Sequence, residues 1–364
     1  MQLINYYLYI SKNNKLFIQV SNLDPQERVI KAVEFKGPDK IPNGCYHLPG
    51  ALNRYGDKLL SLYRRYPRDF ADLYHWWHAS ELLKAYEAGT FKDAWGCVWI
   101  NIHPGLFGRV KEYPLKDLSN VDSYEFPAPD ELIDFNSMRK AIKEERKEKK
   151  YILGDGENFF ERLHWLHGFT ETLIDITKEN REFKTLMERM LKFKLEFIER
   201  WLELDIDGIY FLDDWGTMKG LMINPEKWRK LFKPCYKAMF DKVHKKGCHV
   251  FFHSDGKVLE IIPDLVEIGV DALNVQVSLI GVDLLAEKFA GKICILPDID
   301  RQHLLPFGKP REIEEHIKYL IKKFGDFNGG IISWGEIGPD VPLENAEAML
   351  YAFEKYGQYP LNLQ

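Results

Sequence analysis

The sequence predicts an α/β protein folded as a closed (β/α)8, or TIM, barrel, and three observations carry that expectation. From about residue 150 short β-rich runs alternate with amphipathic helical stretches, the pattern of parallel strands joined by helical crossovers. Six such runs lie near 151–155, 208–213, 248–253, 271–275, 293–297 and 329–334, and two earlier ones, Lys40 to Tyr46 and Arg68 to Tyr74, bring the count to eight. Four runs also end alike: apolar residues lead into Asp213 and Asp214, into His253 and Asp255, into Asp298 and Asp300, and into Glu336. A barrel gathers the C-terminal ends of its strands at one mouth.

Taken in chain order, residues 1–23 are expected to form an N-terminal extension ahead of a single domain spanning 24–364. Phe91 to Val110, with Pro104 and Gly105 near its end, reads as a hairpin inserted after the second strand and suited to act as a lid. Residues 139–150 hold seven basic and three acidic side chains and read as a solvated helix end. From Glu182 to Leu204 the apolar residues Phe183, Leu186, Met190, Phe197 and Trp201 recur at helical spacing, which predicts an outer helix with one face on the sheet. Asn224 and Pro225 read as an N-cap and first helical residue, Pro234 interrupts that helix, and Gly247 sits where a left-handed C-terminal residue belongs.

Composition narrows the function classes. The 364 residues are 45% hydrophobic, enough for a sizeable core, and the formal charge of -5 argues against a nucleic-acid or anionic-membrane partner. A small-molecule substrate is expected instead. Five cysteines, an odd number without a Cys-x-x-Cys pair, suggest neither a disulfide framework nor a thiolate zinc cluster and fit a reducing cytoplasm. No basic leader and no apolar run of bilayer length is present, so a soluble, cytoplasmic protein is expected.

The chemistry should lie in the mouth, where so many carboxylates cannot all ionise without a compensating cation, an arginine, shared protons or wide hydration. A divalent metal held by His253, Asp255 and Glu336 is the sharpest option, one imidazole and two carboxylates leaving positions open for water or substrate. The alternative is a structural hydrogen bond in which Asp255 only orients the imidazole. Asp213 and Asp214 carry either chemistry or the cap of the next helix. Trp215 and Trp334 either line a flat apolar substrate or plug the mouth. Asp298, Gln276 and His47, at or beyond the ends of runs, complete the candidate substrate contacts.

The order of motifs resembles the uroporphyrinogen decarboxylase superfamily. It runs from Glu27-Arg28-Val29 and Pro38-Asp39-Lys40-Ile41-Pro42, through Asp213-Asp214-Trp215-Gly216, Asn224-Pro225-Glu226-Lys227-Trp228, His253-Ser254-Asp255-Gly256, Ile262-Pro263-Asp264 and Gly269-Val270-Asp271, to Asp298-Ile299-Asp300-Arg301-Gln302 and Pro339-Asp340-Val341-Pro342. The resemblance covers nearly everything from residue 24 onward and implies either porphyrinogen decarboxylation or corrinoid-linked methyl transfer to a thiol. The decarboxylases carry an Arg-Gln-Ala-Gly-Arg loop where this chain has Cys45-Tyr46-His47-Leu48-Pro49-Gly50, so the clamp for an octacarboxylate is missing. Their catalytic aspartate corresponds to Asp69 or Asp72. The methyltransferases bind zinc through His-x-Cys and a later Cys; His253 matches the histidine, and Asp255 and Glu336 replace the thiolates.

The resulting expectation is a methyltransferase with a divalent metal, zinc first, on His253, Asp255 and Glu336. Asp213, Asp214, Asp300 and Asp72 would act as catalytic acids, with methylcobalamin as a carried substrate and a corrinoid protein as partner. The alternatives are a cofactor-free decarboxylase and a silent barrel that docks a corrinoid protein. The superfamily also implies a homodimer.

Overall fold

The computed structural model describes residues 8–10, 16–18, 23–73 and 81–363. The Tyr74 end of the expected second strand and most of the N-terminal extension lie outside these residues. Within the extension, β1 (Leu8–Ile10) and β2 (Leu16–Ile18) pair antiparallel. Helix α1 (Pro25–Val33) follows, capped by Asp24, whose side chain accepts from the Glu27 N–H.

A short strand β3 (Tyr46–His47) comes next in the chain. The expected hairpin is a three-stranded antiparallel meander of β4 (Gly89–Lys92), β5 (Val98–Asn101) and β6 (Arg109–Glu112). The central sheet is parallel and runs β7 (Leu153–Asp155), β8 (Gly208–Leu212), β9 (His249–Ser254), β10 (Ala272–Val275) and β11 (Cys294–Pro297) in consecutive order. β12 (Glu336–Ile337) pairs parallel with β3. Single parallel bridges join Phe70 to Tyr151, Ile295 to Ile331 and Asn43 to Ser333. The expected runs at Lys40 to Tyr46, 68–73 and 329–334 are thus reduced to bridges and two-residue strands. Local close packing explains part of this: a Cβ on Gly44 would collide with the Trp334 ring, and one on Gly335 with Met349.

The strands alternate between two environments, as a period-2 backbone requires. On one face Phe70, Tyr151, Phe251, Ala272, Cys294 and Ile332 form a cluster with Val29, Ala32 and Val33 of α1. On the other, Ile152, Ile209, Phe211, Val250, Phe252, Leu273 and Ile295 pack into the helical layer. Register places like with like: Tyr210 opposite Phe251, Phe251 opposite Ala272, and Ala272 opposite Cys294.

The helices follow their expected punctuation. Helix α2 (Phe160–His167) lies beyond β7. Helix α3 (Arg181–Leu202) is capped by Asn180 and buries Phe183, Leu186, Met190, Phe197 and Trp201. The Asn224 cap opens α4 (Pro225–Leu231), the chain breaks at Phe232, and α5 (Lys233–His244) carries Pro234 in its first turn, where the missing N–H costs nothing. Gly247 has the left-handed φ of +75°. Helices α6 (Pro310–Phe324) and α7 (Leu343–Tyr356) pack together before the C-terminus. Among the described residues no helix is long and apolar enough to cross a membrane, and all five cysteines are free.

Arg28 ties α1 to the segments around it. Its guanidinium, 9% exposed, donates to Asp39 at 2.7 Å and to Asp69 at 2.5 Å, and Asp69 accepts the Asn43 N–H at 2.6 Å. Removing a buried partner strands charge, so Arg28→Met is expected to lower stability by about 3 kcal/mol in urea unfolding. Adding Asp69→Asn should recover part of that loss; a single variant as stable as wild type would show that the pair anchors nothing.

Candidate active site

The site lies where the α1-facing parity of each strand continues past its end. From Tyr210 the steps of two residues reach Leu212 and Asp214; from Phe251 they reach His253 and Asp255; from Ala272, Asn274 and Gln276; from Cys294, Leu296 and Asp298; from Ile332, Trp334 and Glu336. His253 stands level with Leu212 on one side and Asn274 on the other. Glycines let the loops meet beyond the strands: a Cβ on Gly216 would stand 2.6 Å from the Asp255 carbonyl, and Gly256, at φ +82°, backs directly onto Gly216.

His253 is the hub. Its Nδ1 lies 2.5 Å from Asn274 Oδ1, and Asn274 is oriented by its own amide, which donates to the Leu296 carbonyl at 2.7 Å. The Asn274 oxygen therefore faces the ring, and Nδ1 carries the proton. Nε2 points between Asp214, at 3.5 Å, and Asp255, at 3.4 Å. Burial opposes charge on this imidazole, but the two carboxylates and the Asn274 hydrogen bond outweigh it and raise the pKa to about 9. Asp214 is correspondingly held below the usual carboxylate range: burial works against its ionisation, and His253, the Asp255 N–H at 2.9 Å and Arg301 overcome it.

Arg301 supplies the second cation. It donates to Asp255 Oδ2 and lies 3.4 Å from Glu336 Oε2, which also accepts the Tyr46 hydroxyl at 2.9 Å. Glu336, expected as a metal ligand, is thus engaged by Arg301 and Tyr46, and the acids that approach the imidazole are Asp214 and Asp255. These three residues offer donor atoms within 4.8 Å of one another, and Asp255 Oδ1 is buried without a hydrogen-bond partner among the described residues. Asp298 stands beside this group; burial, with Asp255 and Glu336 nearby, pushes its pKa up to about 7 against the pull of Arg301.

The other expected residues fall elsewhere. Asp213 has the opposite parity to Asp214 and is 2% exposed. It accepts the N–H groups of Phe159, Phe160 and Glu161 at 2.8, 3.0 and 2.9 Å and the Tyr236 hydroxyl at 2.7 Å, so it caps α2 and has no free edge for catalysis. Trp215 shares that parity and is fully buried, stacked 4.0 Å from Phe160 with its Nε1 donating to Tyr236; it is core, not a substrate contact or a mouth plug. Asp300 accepts the N–H groups of Gln302 and His303, a local turn. Gln276 accepts the Gly256 N–H at 2.8 Å and braces the loop carrying Asp255. Trp334, His47 and Asp72 line a cavity of about 250 Å³ beside the site.

Four residues escaped the sequence reading. Arg301 sits in a loop beyond strand parity and carries no spacing signal. Asn274 and Tyr210 follow the inward parity of β10 and β8, a signal that was present. Glu161, in the first turn of α2, has its carboxyl pKa raised by burial and by the charges of Asp214 and Asp213.

The family model for uroporphyrinogen decarboxylase (URO-D) matches residues 92–356. Among solved structures, a methyltransferase from Methanosarcina mazei superposes with a TM-score of 0.69 at 16% identity, covering 92% of this chain and 99% of that one. At such identity the likeness establishes the fold alone. No curated protein matches the chain.

The raised pKa of His253 has a definite sign. Its charge contributes stability in full below the unfolded value of roughly 6.5, and that contribution is lost as pH rises through about 9. In metal-free protein the His253 imidazole should titrate near 9 by NMR, and the urea midpoint should fall across that window in wild type but not in His253→Gln. Titration near 6.5 would contradict the arrangement.

Proposed function

Because this chain belongs to the uroporphyrinogen decarboxylase family, we propose that it is a methyltransferase whose Asp214, His253 and Asp255 hold a divalent metal at the mouth of a closed (β/α)8 barrel. The parallel bridges at Phe70, Asn43 and Ile331, with the pairing of β3 and β12, support closure of the central sheet into a ring of eight. The observation that carries the metal is the unpartnered, buried Oδ1 of Asp255, aimed at the same point as His253 Nε2 and an Asp214 oxygen.

One imidazole and two carboxylates suit zinc or a harder divalent ion and leave coordination positions open. A metal there would supply Lewis acidity, lowering the pKa of a bound thiol or water so that the acceptor is anionic at neutral pH. The chain's own groups prepare the place. Asn274 holds the Nδ1 proton and so keeps Nε2 turned toward the carboxylates. Arg301 fixes Asp255 through one oxygen and leaves the other available. Asp298, with its pKa near 7, is poised to take or return a proton at the mouth.

Charge favours methyl transfer over decarboxylation of a polycarboxylate. With a divalent ion in place, that ion and Arg301 only balance Asp214, Asp255 and Glu336, so the mouth has no excess positive charge to hold a substrate bearing many carboxylates. The methyl donor in this reading is an alkylcorrinoid, presented by a corrinoid protein.

Zinc titration of wild-type protein should give one site, weakened at least about a hundredfold in His253→Ala and Asp255→Ala and retained in Glu336→Gln. Undiminished zinc in His253→Ala would overturn the site. Zinc-loaded enzyme should also demethylate methylcobalamin in the presence of a thiol, read by the corrinoid absorbance; an unchanged spectrum with every thiol tried would overturn methyl transfer.

A further inference from the structure

The cavity beside the metal residues has an unusual wall. Tyr46, Phe70, Tyr86, Tyr210 and Trp334 line it, and Trp334 links three of the others with ring centroids 5.8 Å from Tyr46, 5.5 Å from Tyr210 and 5.4 Å from Phe70. Its volume of about 250 Å³ falls below the roughly 300–1,000 Å³ of pockets for drug-sized ligands, so it suits a molecule of a few heavy atoms and not a tetrapyrrole.

Charges of both signs mark this space, Arg68 of one and Asp72 and Asp155 of the other. The Tyr46 hydroxyl donates to Glu336 at 2.9 Å, which enriches the ring facing the cavity, and the Glu336 charge also reaches Tyr86, where with burial it raises the phenol pKa to about 12. Asp155 lies in the same wall, with its pKa pushed up to about 6 by burial. Aromatic faces backed by carboxylates attract a soft cation, best a methylated ammonium that sheds its water cheaply. Arg68 lines the cavity as well, and its Nε is buried without a hydrogen-bond partner among the described residues. An unsatisfied guanidinium nitrogen is costly unless an anion completes it, and a carboxylate fits its fork.

We infer that this cavity binds a small zwitterion, its methylated ammonium against the aromatic walls and its carboxylate on Arg68. The binding of such a molecule does not depend on the methyl-transfer reading, in which the methyl donor is an alkylcorrinoid. Among the described residues neither Tyr86 nor Arg68 hydrogen-bonds or ion-pairs with Asp214, His253 or Asp255, so each can be varied without removing a partner of that site.

Calorimetry with three probes tests this in both chelator-treated and zinc-loaded protein. Trimethylglycine should bind roughly tenfold more tightly than its isostere 3,3-dimethylbutyrate, in which carbon replaces the ammonium nitrogen, and Tyr86→Leu should erase most of that difference. Arg68→Gln should weaken trimethylglycine by roughly tenfold and leave tetramethylammonium unchanged. Equal affinity for the isostere, an unaltered Arg68→Gln, or no saturable binding by wild type would each overturn the inference. The ligand comparison stands apart from zinc titration of His253→Ala, so failure of one reading is not mistaken for failure of the other.

Discussion

The contact on which the mouth depends is the buried imidazole of His253 between Asp214 and Asp255. Two carboxylates this close repel, and positive charge between them favours the ionised form of both. In the metal-free chain a proton on Nε2 supplies that charge, and Asn274 keeps it there by binding the opposite nitrogen. A divalent ion would replace the proton with two charges and relieve the same repulsion more completely. Metal binding and loss of the proton are thus one exchange, and the site's affinity must rise with pH.

Arg301 sets the outer limit of this arrangement. By holding Asp255 and Glu336 together it separates an inner group of possible ligands from an outer acid that binds the Tyr46 hydroxyl of the cavity wall. Glu336 then acts through Tyr46 on the cavity wall rather than on the imidazole. A single arginine would so divide the acids into two jobs, one at the proposed metal and one at the cavity wall. Asp298, pushed up to about 7 by burial against the pull of Arg301, is a group at the site whose protonation changes at neutral pH.

Much of this was legible in the chain. The six later runs became strands or bridges at the expected places, because Val, Ile and Phe in short blocks bounded by turns have few alternatives to a buried parallel sheet. The two early runs and the last were weaker, since Gly44 and Gly335 trade pairing for close approach by Trp334 and Met349. Within the site, parity would have separated Asp214 from Asp213 and Trp215, for odd positions from Ile209 onward face the helices and even ones face α1. What strand spacing did not encode was Arg301, present in the Asp298-to-Gln302 motif but given no role there, and the capping of α2 by Asp213, which joins residues more than fifty apart in sequence.

The central claim is that Asp214, His253 and Asp255 converge on one ion. Crystals soaked in zinc and measured on either side of the zinc absorption edge test it most directly. The account predicts one strong anomalous peak at roughly 2.0–2.2 Å from His253 Nε2 and from an oxygen of each aspartate, with Arg301 still on Asp255. A peak bound by Glu336 and not by Asp214, or none near His253, would contradict it.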